Sequence, residues 1–125
     1  MATRDKTARD LERLKGICAE FPEATATAHQ SHTAFAVRGK NFAYHLIDHH
    51  GDGRVALECK AGPGENQALV ASDPKRFFLP KYMAHHGWGG LYLDVGRIDW
   101  QEVRELVTDA YLLIAPKRLA QQLDA

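Results

Sequence analysis

Over the first twenty positions, Ala8, Leu11, Leu14, Cys18 and Phe21 recur at spacings of three and four with charges between them. That period predicts an amphipathic helix from about Asp5 to Glu20, ended by Pro22. The period then changes. "EATATAHQ" alternates Ala with Thr and predicts a modest strand, and "TAFAVR" and "NFAYHLI" predict two stronger ones joined by a hairpin at Gly39-Lys40. "HHGDGR" marks a second turn and "RVALECKA" the returning strand. "GPGENQALVAS" reads as a loop entering a short helix, and "DPKRFFLPKY" as a Pro-bounded connector. "GWGGLYLDV" predicts a further strand whose glycines permit a bulge or a close backbone approach.

The last long helix has the clearest start signal. Asp99 is placed to cap it, Glu102 stands three residues on, and Ile98 can staple to Val103. Val103, Leu106, Val107, Ala110 and Ile114 line one face, Pro116 interrupts, and "KRLAQQL" adds a terminal helix. The pattern predicts an α+β domain, an antiparallel meander with helices packed on one sheet face. At 125 residues, with no linker or repeat, the expectation is one domain over 1–125.

Composition narrows the function classes. Sixteen Lys and Arg balance sixteen Asp and Glu, which argues against a protein working by blanket attraction to nucleic acid. A local basic face remains open. The two cysteines, Cys18 and Cys59, lie in apolar periodic segments and form no C-x-x-C pair, so buried reduced thiols are expected. The charged opening "MATRDKTARDLERL" has no apolar signal core, and no long apolar run occurs. A soluble cytoplasmic protein without membrane contact is the resulting expectation.

Several of these segments together resemble the MmcQ/YjbR family of small bacterial proteins. The resemblance runs from about Leu11 to Ala115. It rests on "HTAFAVRGKNFA", on Tyr82 with Gly87-Trp88, and on "IDWQEVRELVTDAYLLIA" with Trp100 and Tyr111. It implies an α+β fold whose projecting hairpins earned the label of a double-wing DNA-binding domain. Two departures stand out. Positions before Gly87-Trp88 that are commonly basic in the family are His85 and His86 here, which would make a phosphate contact pH-dependent. The Ser-Tyr common in the last helix is Ala110-Tyr111.

Charge is distributed unevenly. No acid occurs between Glu23 and Asp48, where Arg38 and Lys40 stand, nor between Asp73 and Asp94, where Lys75, Arg76 and Lys81 stand. Those stretches also hold Phe35, Phe42, Tyr44, Phe77, Phe78, Tyr82, Trp88 and Tyr92. Cations interleaved with aromatics are what a phosphate-plus-stacking surface requires. The expected nucleic-acid contacts are therefore Arg38 and Lys40 at one wing and Lys75, Arg76 and Lys81 in the connector. Tyr82 or Trp88 would offer a stacking face and His85 and His86 flank them. Packing in the core competes as the role of Trp88.

Other chemistries find less support. Seven histidines invite a metal, but adjacent His49-His50 and His85-His86 point to opposite faces of any strand. His45 and His49 would share a face about 13 Å apart if the strand continued. His29 and His32 could converge only in a turn, and no ligand cluster completes a site. No metal or other cofactor is expected. There is no nucleophile elbow or P-loop, and Ser31 between His29 and His32 lacks an orienting acid. Cys59 should point with Leu57 into the core, and Glu58 on the opposite face should meet solvent or Lys60. The leading expectation is a non-enzymatic nucleic-acid-binding domain. The alternative is a protein- or small-ligand-interaction module with a pocket near the 81–88 connector.

Overall fold

The computed structural model describes residues 2–124, with side chains described from Arg4 to Leu123. Helix α1 (Ala2–Cys18) is followed by strands β1 (Ala24–Ala28), β2 (His32–Val37), β3 (Lys40–Ile47) and β4 (Val55–Lys60). Helix α2 (Glu65–Ser72), the short strand β5 (Phe77–Phe78) and β6 (Trp88–Tyr92) come next. Helices α3 (Trp100–Ile114) and α4 (Lys117–Asp124) close the chain. The sheet is antiparallel throughout, in the order β1-β2-β3-β4-β6-β5. The architecture is α+β, with an antiparallel six-stranded sheet whose core side is closed by helices. Among the described residues, no helix is long and apolar enough to cross a membrane.

Register sorts the strand residues onto two faces, because directly opposed residues of an antiparallel pair share a side. Thr33, Phe35 and Val37 of β2, Ala43 and His45 of β3, Leu57 and Cys59 of β4 and Leu91 of β6 face α1, α2 and α3. A β-bulge sits where Ala43 pairs with Phe35 but Asn41 pairs with Ala36. Phe42 is the extra residue, so it and Ala43 are both buried and the period of two breaks. Phe42 joins Phe21 and Tyr111, and the Tyr111 ring centroid lies 5.6 Å from that of Phe42 and 5.0 Å from that of Phe21. The Tyr111 hydroxyl donates to the Pro22 carbonyl at 2.7 Å. Ala110 and Tyr111 are both fully buried, so Ala110 lies in the core.

Two local details differ from the sequence expectation. The β2–β3 turn is Arg38-Gly39 rather than Gly39-Lys40, with φ of 51° and 78°. That is the two-residue positive-φ geometry that matches strand twist, and glycine supplies its second position. Within the expected connector, Phe77-Phe78 pairs with Leu91 and Gly90 and forms the edge strand β5. Two residues are too few for any periodicity to show.

Asp99 caps α3 as expected, its Oδ1 accepting from the amides of Gln101 at 3.1 Å and Glu102 at 3.2 Å. Cys18 and Cys59 are free and buried, and burial pushes both thiols up to about 12. Neither is a thiolate at neutral pH.

Candidate functional site

The sheet face away from the helices carries His32, Tyr44 and Leu46, then Ala56 and Glu58, then Trp88, Gly90 and Tyr92, with Phe78 at the edge. Aromatic rings dominate it. Tyr44 stacks on Trp88 at 5.3 Å and Phe78 on Tyr92 at 4.4 Å, with interplanar angles of 28° and 22°. The guanidinium of Arg54 lies 3.7 Å over the Tyr92 ring. Two hydrogen bonds to Asp94, of 3.0 and 2.8 Å, hold it there and keep the Asp94 carboxyl below the usual range.

Two segments rise over this face and turn it into a groove. The β3–β4 loop folds on itself: Asp48 Oδ1 accepts from the Gly53 amide at 2.6 Å, and Asp52 Oδ1 accepts from the Arg54 amide at 3.0 Å. It presents His49 and His50. Across from it, the 79–87 connector is pinned by Asn66, whose amide donates to the carbonyls of Ala84 at 3.1 Å and Trp88 at 3.0 Å. The Pro80 carbonyl accepts from the amides of Met83 and Ala84, a turn that puts Lys81 and Tyr82 outward. Between these walls lie adjoining cavities of about 440 and 270 Å³ that share Leu46, His49, His50, Glu58 and Lys81. The larger falls within the usual range of small-molecule sites.

Histidines converge at one end. His29 and His32 stack at 4.5 Å across the β1–β2 turn, and His49 meets His32 edge-on at 5.1 Å. Because the chain leaves the strand after Ile47, His49 reaches this side while His45 points into the core. The two do not share a face, contrary to the expectation from a continued strand. Burial, then the charges of His29 and His49, hold the His32 pKa below the ordinary imidazole value. Ser31 Oγ lies 2.7 Å from His49 Nδ1, and among the described residues no carboxylate hydrogen-bonds the His49 ring. No group of three or more His, Cys, Asp or Glu among the described residues is placed to hold a metal ion.

Glu58 corrects another expectation. It is 7% exposed and does not pair with Lys60. Lys60 instead donates to the His86 carbonyl. Desolvation raises the Glu58 pKa, opposed by the charge of His50. A glutamate between Leu57 and Cys59 reads as the solvent side of a half-buried strand. The loop and connector that cover that side are distant in sequence.

The nine residues expected at the interface do not form one surface. Arg38 binds Glu23 through Nε at 2.6 Å and a second nitrogen at 2.9 Å. Arg76 binds Asp73 at 2.7 Å and Glu102 at 2.6 Å, so Glu102 serves as its partner. These acids border or lie outside the acid-free stretches; charge separation along the chain is undone by folding. Lys40 is exposed at the hairpin tip and Lys75 after α2. The tip and Arg76 stand about 15 Å apart across the sheet and about 20 Å along the strands, from the pairing and standard strand spacings. The wing cations and the connector cations are therefore scattered, and of the five only Lys81 lines the groove. Tyr82 is 69% exposed at its rim, whereas Trp88 is 6% exposed beneath Tyr44. His85 and His86 sit together at 3.9 Å in a 3-10 turn outside the groove lining.

The fold has solved relatives. A crystal structure of the Deinococcus radiodurans protein DR2400, described as carrying a DUF419 domain, superposes with a TM-score of 0.71. The match covers 91% of this chain and 87% of that one at 21% identity, a likeness of fold. No curated protein matches the sequence. The YjbR family model matches residues 19–113, from the end of α1 through nearly all of α3, and on that match the chain belongs to the YjbR family.

Proposed function

We propose that the protein is a binding module that takes single-stranded nucleic acid across the groove on its open sheet face. The observation that carries this reading is the juxtaposition of paired, partly accessible rings with Lys81 and the histidine cluster at one depression. Bases stack on such rings whatever their identity, and each stack contributes about 1–3 kcal/mol. His32, held largely neutral at pH 7, offers a ring face rather than a charge. Tyr82 extends the aromatic surface outward. A single strand suits the site better than a duplex, whose bases are already stacked on one another and whose contacts would fall on the hairpin tip. There Arg38 is already satisfied by Glu23.

With zero formal net charge, the binding is weak and salt-sensitive. Affinities of about 10⁻⁴ to 10⁻⁶ M are expected, and each phosphate contact adds about −0.7 to the salt slope for a single strand. Fluorescence anisotropy with labelled 12-mers checks this. Lys81→Ala should reduce the slope by about 0.7, the value of one lost phosphate, while Lys40→Ala and Lys75→Ala leave it unchanged. Absence of binding at high micromolar protein would overturn the reading, as would equal effects of all three substitutions.

A second reading keeps the groove and changes the occupant. The 440 Å³ cavity has polar walls, from Asp52, Arg54, Glu58 and Lys81, and apolar ones from Leu46, Phe78 and Leu79. That mixture suits a small polar aromatic metabolite. Saturable thermal stabilisation by a mononucleotide, with no binding of oligonucleotides, would favour it.

A further inference from the structure

Glu58 sits on the groove floor with an uncommitted carboxylate. It lies opposite Gly90 on one side and Tyr44 on the other, and lines both cavities. More than nine-tenths of it is buried, yet among the described residues its carboxylate makes no hydrogen bond or ion pair. On its own strand and loop, Arg54 is held by Asp94 and Lys60 by the His86 carbonyl, while His50 acts on the Glu58 carboxylate through its charge without a hydrogen bond. Its oxygens face the open groove rather than being sealed, and a ligand that supplies a donor there gains a hydrogen bond to a partly desolvated charged group.

The surroundings restrict what the ligand can be. Flanking rings from Tyr44, Phe78 and Tyr92 favour a flat partner. Arg54 and Lys81 on the walls disfavour a cationic one such as a lysine or arginine side chain. A neutral planar group with N–H donors on its edge satisfies both conditions. Resting on the single-strand reading above, we infer that Glu58 reads the exocyclic amino group of a base stacked in the groove. Strands carrying cytosine or adenine are then preferred over thymine. Cytosine presents its N4 amino group to a carboxylate, whereas thymine presents an O4 acceptor that the carboxylate repels.

The test compares labelled oligo-dC and oligo-dT 12-mers by anisotropy at pH 7 and fixed salt, for the native chain and Glu58→Gln. The native chain should bind oligo-dC about tenfold tighter, the lower part of the range for one good base contact. Glu58→Gln should bring the two strands within about twofold while leaving the salt slope and melting temperature of the protein unchanged, since the phosphate contacts are untouched. Equal native affinities for the two strands would overturn the base-reading role alone and leave the groove reading standing. Persistence of the preference in Glu58→Gln would do the same. A melting temperature that falls together with the preference would mark a structural role and also overturn it. Failure of both strands to bind would remove both readings.

Discussion

Replacing His45 with leucine is expected to stabilise the protein and to reduce its sensitivity to mild acid. His45 is 1% exposed, faces the helices between Thr33 and Leu57, and has no hydrogen-bond partner at either ring nitrogen. An imidazole needs one donor and one acceptor satisfied, and each orphaned polar group costs about 1–3 kcal/mol. Leucine has similar bulk and no polar atom, so a gain of about 1–2 kcal/mol at pH 7 follows.

The acid limb has a definite sign. Burial, with Lys15 adding to it and Asp10 opposing it, lowers the His45 pKa to about 4. In the unfolded chain the ring titrates near the ordinary value of about 6.5. Above that pH the ring is neutral in both states and proton linkage is silent. Between it and about 4 the unfolded chain takes up a proton that the folded chain refuses, so stability falls. The accumulated loss is about 3 kcal/mol. Urea denaturation at pH 7 and pH 4.5 checks this: the native chain should lose markedly more stability than His45→Leu. Parallel losses in the two proteins would show that the ring is not the acid-sensitive group.

Gly90→Ala should damage both the fold and the groove. A Cβ at Gly90 would overlap the ring of Phe78, which lies flat over that position and stacks on Tyr92. The ring must leave, at a cost of about 1–3 kcal/mol for an overpacked site. Its departure strips one wall from the aromatic face, so oligonucleotide binding should weaken several-fold. Gly16→Ala is the contrasting substitution. Its Cβ meets nothing within 4 Å, and alanine favours helix over glycine by about 1 kcal/mol. It should raise the melting temperature and leave binding alone. If Gly90→Ala were as well tolerated as Gly16→Ala, the close fit of Phe78 over the sheet would be wrong.

Much of the fold was legible because its signals are local. The apolar period of α1 and the cap of α3 by Asp99 each reside within a few residues, as does the β2–β3 hairpin, though its turn sits one residue earlier than predicted. What escaped depends on pairing between distant segments. Phe77-Phe78 becomes a strand only because Leu91 and Gly90 lie beside it. The bulge at Phe42 breaks the alternation of "NFAYHLI", which is why His45 is buried while Tyr44 borders the groove. Candidate cations were read from stretches without acids, yet Glu23 and Glu102 return to neutralise Arg38 and Arg76. Lys81 and Tyr82 lie at the groove, whereas Glu58 had no local mark. Its neighbours along the strand read as core, and the segments that cover it lie up to a few tens of residues away.

The most direct measurement is a titration of the 15N-labelled protein with a dC 12-mer, followed by amide chemical shifts. The account predicts saturable shifts concentrated at His32, Tyr44, Glu58, Lys81, Tyr82 and Tyr92, with the Arg38–Lys40 tip and Lys75 unmoved. Shifts confined to the tip and Lys75, with the open sheet face silent, would contradict it.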